Sequence, residues 1–476
     1  MKFIYQGEKP CVILFGDACD MGAYCTDLNY FDIKPELIIT DAESFDDTWR
    51  GIPVRQFATI REYVGISNMV IVPINRWPRS TMHKLAELDG RLPNAVVRDI
   101  ELLLRLSIGS KVEGLPTDTA CQSDKILLSL QLGFVLGGLE AWVTNLYRQM
   151  KLKGYPVMIV EPLQKSEYKY VGAEFYHVAP DDVLSMGAYD SFMPYVERMI
   201  ELMANNPPKV YVDNGSYRLM AAISIVKTQL HLPIKVVSVM HSDMDIVYNR
   251  VMLCESVIDK FVAVSDPIRE SLSKKLPNRA EDISVQIQLP SAHPESLKAR
   301  TQSGKLRIAY AARLEASNKR SMWLINIMDG LTAQNVSFEM SIAGDGECYE
   351  PIKAHIAENH LENCVHMCGK IPHEEMDDFW RDKHVFINFS VSEGGPLTLF
   401  ESMSHGLVPV VTNAGSASRL VFADKSGYII DSPQTAVDAL TELAGDMSRC
   451  ERLQQGAMDA FLALQRDMGD PVESFI

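Results

Sequence analysis

The sequence predicts an α/β protein built on parallel sheets, because short apolar, β-branched runs alternate with helix-length amphipathic stretches along most of its 476 residues. Two further observations bound the architecture. Domains usually run to about 100–200 residues and a single core stops growing well below this length, so two or three domains are expected. The hydrophobic fraction of 47% and charged fraction of 23% suit ordinary folded domains, and no fixed-period repeat divides the chain differently.

The first segment, residues 1–122, carries expected strands at 11–15, 37–40 and 69–73, a turn at 51–54 and a helix at 80–88. It has the pattern of a small, half-Rossmann unit. The turn after its first strand, 16–22, lacks a GxGxxG fingerprint, so a structural or partner-docking role stands beside ligand binding. The stretch 110–124 is polar, holds Gly, Pro and Thr without periodicity, and is expected to be a linker.

The second segment, 124–300, opens with an apolar strand at 126–130, then Gly133, Gly137 and Gly138, then a helix at 139–152. Further strands are expected at 157–160, 210–212, 236–240 and 261–264. The third segment, 304–476, repeats the alternation with strands at 306–311, 338–342, 365–368, 385–389 and 408–411. Two Rossmann-like domains in tandem are therefore predicted to face each other across a cleft, with ligands at the carboxyl ends of the strands.

A formal net charge of -16 argues against nucleic-acid binding, because an acidic field repels a phosphate backbone. It also disfavours broad docking on anionic lipid, while leaving room for a local basic patch and peripheral membrane contact. The nine cysteines are odd in number, scattered and without a CxxC pair, so free thiols in a reducing compartment are expected and no metal site. No apolar run reaches the roughly 18 residues of a membrane span, and no signal peptide is expected, which points to the cytoplasm, with the inner face of a membrane compatible.

The most informative stretch follows the strand at 385–389. Pro396 stands where a helix begins, its fixed φ suiting the first position, and Gly394 and Gly395 clear side chains from the approach. The backbone amides around Leu397 and Thr398 then face an anion with the helix dipole behind them, an environment that suits a diphosphate. Glu401 lies one turn in and leans toward the helix start, placed to accept from ribose hydroxyls. Glu393, in the loop before the helix, is placed to accept from hydroxyls of a transferred sugar. Two carboxylates beside a diphosphate need cations, and Arg313, at the end of the first strand of the third segment, and Lys319, at the start of the next helix, supply them.

With Glu393 and Glu401 separated by seven residues and followed by Ser-Met-Ser-His-Gly-Leu-Val-Pro-Val-Val, the chain resembles family 4 of the retaining GT-B glycosyltransferases. Arg313 and Lys319 match that family's diphosphate-binding pair, and Gly344-Asp345-Gly346 its G-x-G turn. Gly137-Gly138 match the glycine-rich loop of the acceptor-side domain, and His241 a histidine beside the donor sugar. Ser265, after another strand, is placed on the same cleft. The resemblance covers roughly 124–440. It implies a metal-independent, retaining enzyme that moves a sugar from a nucleotide-diphosphate donor to a glycan or lipid-linked acceptor, as in bacterial surface polysaccharide assembly. No cofactor or metal is implied.

The match departs from the family at Ala312 and Arg320, where Gly is usual, and in the Gly394-Gly395-Pro396 loop. A GT-B sugar-nucleotide epimerase shares the same cleft, and a non-catalytic scaffold, homo-oligomeric or docking partners through residues 1–122, keeps the same fold. Taken singly, Glu, Arg and Lys are ordinary solvated residues and His241 an ordinary hydrogen-bonded wall residue. Only their combination on tandem Rossmann-like domains favours the enzyme.

Overall fold

The computed structural model describes residues 1–16, 18–40, 46–57, 59, 68–73, 99–116, 123–135, 137–163, 170–188, 191–299, 304–372, 375–415 and 417–476. The chain forms two compact units. One is Met1–Val239 with Met244–Phe261 and Phe475–Ile476; the other is Met240–Asp243 with Val262–Ser474.

The first unit begins with β1 (Lys2–Tyr5), β2 (Cys11–Phe15), β3 (Leu37–Thr40), β4 (Thr48–Trp49), β5 (Ile52–Gln56), β6 (Met69–Pro73) and β7 (Ser110–Glu113). Five of these form a sheet in the order β4-β5-β3-β2-β6, with β5, β3, β2 and β6 mutually parallel. Ile13, Phe15, Leu37, Ile39, Met69 and Ile71 pack on one face of it, the period-2 alternation expected of strands. The expected turn at 51–54 is corrected: Ile52–Gln56 is a strand. The reversal falls one residue earlier, at Arg50 (φ 48°) and Gly51 (φ 82°), and two successive positive φ values are what a tight hairpin turn requires. The expected helix at 80–88 lies outside the described residues.

The expected linker is also corrected at its start, because Ser110–Glu113 is strand β7, paired antiparallel with β1. Gln229 secures it by accepting from the Val112 amide at 3.0 Å and donating to the Ser110 carbonyl at 2.9 Å. A second tie runs through Asp27, whose carboxylate accepts from the amides of Phe192 and Met193 at 2.9 and 2.8 Å and so caps the helix Phe192–Asn205. Burial pushes the Asp27 carboxyl up to about 6 despite these bonds. Together these contacts make the first segment continuous with the one that follows.

That following part contributes β8 (Ile126–Ser129), β9 (Val157–Leu163), β10 (Val183–Ala188), β11 (Val210–Asp213), β12 (Lys235–Met240), β13 (Lys260–Ala263) and β14 (Ile283–Val285), in the sheet order β10-β9-β8-β11-β12-β13-β14. The pairs from β10 through β12 are parallel. A crossing at β8, between β9 and β11, is a topological switch point, and the helix Gly138–Leu152 starts just beyond that strand.

The second unit is organised on β15 (Leu306–Ala311), β16 (Phe338–Ala343), β17 (Val365–Gly369), β18 (Val385–Asn388), β19 (Val408–Thr412) and β20 (Tyr428–Ile430), all parallel, in the order β17-β16-β15-β18-β19-β20. Along β15, Ile308 and Tyr310 enter one core cluster while Ala309 and Ala311 enter the other. Helices cover both faces, which is why 385–387 and 408–411 read as unbroken apolar runs rather than alternating ones. The switch point here lies between β15 and β18, where the order reverses, and both carboxyl ends open into the loops that carry the predicted chemistry.

Candidate functional site

Two loops of the second unit are fastened to each other at that switch point. After β15 the chain runs through 312–322 before the helix Trp323–Ala333; after β18 it runs through 389–396 before the helix Leu397–Ser404. Asn318 clamps them. Its side chain donates to the Ser392 carbonyl and accepts from the Ser392 amide, both at 3.0 Å, while its own carbonyl accepts from the Val391 amide at 2.8 Å.

The next residue, Lys319, reaches Glu393 with an Nζ to Oε1 distance of 2.5 Å, both side chains mostly buried at 17% and 15% exposure. Lys319 therefore lies in the loop and not at the helix start that its sequence position predicts. The cause is local: Ser321 Oγ bonds the Tyr310 hydroxyl at 2.9 Å and accepts from the Glu315 amide at 3.1 Å, and Arg320 takes a positive φ of 48°. These bonds hold the segment turned, and the helix is delayed to Trp323.

Arg313 follows β15 but is 59% exposed and pairs with Glu315 at 3.1 Å, so it joins neither carboxylate of the predicted quartet. Gly344 makes the close approach expected after β16. At φ 137°, a Cβ there would sit 1.9 Å from the Ala312 carbonyl oxygen, so only glycine lets the two strand ends touch. Gly394 meets a comparable constraint from the other side, since its Cβ would fall 1.9 Å from the carbonyl oxygen of His241. Gly395 is roomier, with Val264 oxygen at 3.5 Å.

Pro396 stands one position earlier than expected, as the cap residue, with Leu397 first in the helix. The Leu397 amide is taken by the Gly395 carbonyl at 2.9 Å, which removes it from the predicted anion cradle. The Thr398 amide follows in the first turn of the helix. Two hydroxyls, those of Ser265 and Ser390, are buried without a hydrogen-bond partner among the described residues. Ser265 is fully buried at the start of the helix Asp266–Lys275. Burial pushes the His241 imidazole down to about 3, so it is neutral near pH 7.

Residues 295–459 match the family described as glycosyl transferases group 1. Over that segment the chain is similar to the group 1 glycosyl transferases. In sequence it is 26% identical over 195 residues to the phosphatidylinositol N-acetylglucosaminyltransferase GPI3 subunit of Saccharomyces cerevisiae, covering 39% of this chain and 42% of that protein. It is 30% identical over 161 residues to the amylovoran biosynthesis glycosyltransferase AmsK of Erwinia amylovora, covering 32% and 37%. The matches thus span about two fifths of the length of these relatives. In structure it is similar to the pneumococcal O-GlcNAc transferase GtfA in complex with UDP and GlcNAc (TM-score 0.59, 11% identity, 74% of this chain and 99% of that one). It is likewise similar to Anabaena Alr3699/HepE in complex with UDP and glucose (TM-score 0.58, 16% identity, 74% and 100%). The fold is GT-B, with an additional α/β region at the amino-terminal end.

Within the matched segment, Lys319 and Glu393 are brought into contact, while Glu401 faces elsewhere. Its carboxyl lies near Asp377 and the Trp380 indole, on the helix Met376–Arg381, and is pushed up to about 8 by burial first and by the Asp377 charge second. At neutral pH it is largely a protonated acid, able to donate as well as accept. The remaining predicted pair belongs to the first unit. Gly137 caps the helix Gly138–Leu152, and its amide donates to the Tyr176 hydroxyl at 3.3 Å. Beside it Glu140, 4% exposed, has its carboxyl pushed up to about 7 by burial. Sequence reasoning missed Asn318 as a clamp, because its partner Ser392 is 74 residues away and neither has a distinguishing local pattern.

Proposed function

We propose that the chain is a retaining glycosyltransferase that moves a sugar from a nucleotide-diphosphate donor to a glycan or lipid-linked acceptor, with no metal at the diphosphate. The observation that carries this reading is the buried Lys319–Glu393 pair held at the switch point by Asn318. In that pair a cation suited to phosphate oxygens touches a carboxylate suited to sugar hydroxyls, so one donor can engage both at the bond between its sugar and its phosphate.

The reaction breaks the bond from the anomeric carbon to the phosphate oxygen and forms one to the acceptor oxygen on the same face. The acceptor proton passes to the departing phosphate. Negative charge grows on that phosphate, and Lys319, the Thr398 amide and Arg313, once it turns from Glu315, are the groups that meet it. The unpartnered hydroxyls of Ser265 and Ser390 offer hydrogen bonds to the same ligand. Uracil is the first base to test, because UDP occupies the similar structures GtfA and HepE.

Surface polysaccharide assembly is the proposed pathway, in line with AmsK. Among the described residues no helix is long and apolar enough to cross a membrane, so a lipid-linked acceptor would be met by peripheral contact. The test is UDP release from UDP-sugars with and without membrane extract, together with UDP affinity in EDTA. Acceptor-dependent release with chelator-insensitive affinity supports the reading. Release that is indifferent to acceptor points to an epimerase, and no UDP affinity at millimolar concentration to a scaffold.

A further inference from the structure

Three side chains of the second unit, none of them part of the phosphate site, converge beyond the carboxyl end of the helix Leu397–Ser404. His405 follows that helix directly, His293 precedes the short helix Glu295–Ala299, and Asp377 stands in the first turn of Met376–Arg381. His405 Nε2 lies 3.1 Å and His293 Nε2 3.8 Å from the same oxygen of Asp377, Oδ1. The two imidazoles are stacked, 4.3 Å between centroids and 7° from parallel.

The far nitrogens of both rings are engaged as well. His293 Nδ1 is 3.1 Å from Glu295 Oε1, and His405 Nδ1 is 2.9 Å from Ser296 Oγ. An ionised carboxylate only accepts, so Nδ1 of His293 must be the donor to Glu295. With that donor fixed, Nε2 of a neutral His293 is left as a lone pair facing Asp377, an arrangement that a cation between them would complete. One divalent ion serves both nitrogens and the oxygen together, and an imidazole oriented by a carboxylate on its far side is the usual support of a metal ligand.

We propose that His293, Asp377 and His405 form a binding site for a divalent ion of borderline softness, Zn²⁺ foremost, with water completing the shell. Their ligand atoms lie within 4.8 Å of one another. Bonds of about 2.0–2.1 Å in a tetrahedral shell set neighbouring ligands roughly 3.4 Å apart. Binding therefore opens the 3.1 Å His405–Asp377 approach slightly, closes the 3.8 Å His293–Asp377 approach by about 0.4 Å and turns His293 out of the stack. The exposures allow it: His405 is fixed at 2%, while His293 at 25% and Asp377 at 59% stand on the open side. The ion would pin together the ends of three elements around the helix that carries Glu401.

The test uses untagged full-length protein, stripped with EDTA and desalted, then titrated with zinc sulfate by calorimetry and with cobalt chloride by visible absorption. We expect one ion per chain, with a cobalt spectrum of nitrogen and oxygen ligands that lacks thiolate charge transfer. Binding should vanish in His293→Ala and Asp377→Asn and weaken about 10–100-fold in Glu295→Gln. His405 is buried and its removal risks the fold, so the two more accessible ligands decide the outcome. Retained UDP affinity in His293→Ala shows that the loss is not unfolding. No binding, a thiolate spectrum, or equal binding by wild type and His293→Ala would each overturn the site.

Discussion

Replacing Gly394 with alanine perturbs the loop at its tightest point. The new Cβ would stand 1.9 Å from the His241 oxygen and 2.9 Å from its carbonyl carbon, whereas real Cβ contacts essentially never fall below 3.0 Å. Both neighbours are backbone, so no side chain can swing away, and the loop must retreat by about 1.1 Å, the difference between 3.0 and 1.9 Å. A displacement of about 1 Å in a group that positions substrate costs roughly 100-fold in rate, or about 2.7 kcal/mol of barrier. Gly395→Ala is the internal control, because its Cβ meets Val264 at an ordinary 3.5 Å. The assay is kcat/KM for UDP-sugar turnover, with circular dichroism to establish that both variants fold. We expect a loss of about two orders of magnitude for Gly394→Ala and less than about threefold for Gly395→Ala. Unchanged turnover in Gly394→Ala would refute the claim that this approach sets the position of Glu393.

Lys319→Ala should lower kcat by about 10²–10³-fold if the ammonium meets charge that develops only in the transition state, and Glu393→Gln should act mainly through the sugar, raising KM for the UDP-sugar while UDP itself binds no more weakly. Turnover kinetics and calorimetry with UDP separate the two. Asn318→Ala removes both side-chain bonds to Ser392, at about 0.5–1.5 kcal/mol each, so unfolding stability should fall by about 1–3 kcal/mol and donor KM should rise roughly tenfold. Glu140 gives a pH signature. Its folded pKa of about 7 lies above the ordinary 4.5, so its contribution is full below pH 4.5 and is lost as pH rises through 7. Between about pH 5 and 8, Glu140→Gln should therefore gain about 2 kcal/mol on the wild type in urea unfolding, and a difference independent of pH would count against the buried acid.

The inner strands of the two large sheets were legible because burial on both faces leaves a signal that needs no partner to read: 385–387 and 408–411 are continuous apolar runs. Strands β1, β4, β5, β7, β10, β14 and β20 were not, since an edge or a short hairpin is defined by its pairing. Ser110–Glu113 looks like a polar linker until β1 and Gln229 satisfy its backbone. The site divides the same way. Glycines at strand ends and the two glutamates could be picked out from local spacing, but the direction each side chain takes depends on neighbours remote in sequence. Glu401 turns toward Asp377 and Trp380, and Lys319 toward Glu393, through contacts that no window of residues displays. His405 sits inside the most informative stretch of all, yet its neighbours His293 and Asp377 arrive from 112 and 28 positions away.

The pairing of Lys319 with Glu393 also bears on how a donor is selected. An isolated ammonium as buried as Lys319 would carry a desolvation penalty, and an isolated carboxylate as buried as Glu393 would carry another; in contact they offset each other. A ligand that engages only one of them leaves its partner as an uncompensated charge. Inorganic phosphate, which can take Lys319 but offers Glu393 no neutral hydroxyl, therefore strands the carboxylate. A sugar diphosphate compensates both, one through its phosphate oxygens and the other through hydroxyl donors. Removing the carboxylate by Glu393→Gln should accordingly narrow the gap between sugar nucleotide and bare phosphate, by strengthening phosphate rather than by weakening the donor alone. Competition of phosphate against UDP-sugar in the two proteins measures it. An unaltered ratio of the two affinities would mean that the ion pair plays no part in telling them apart.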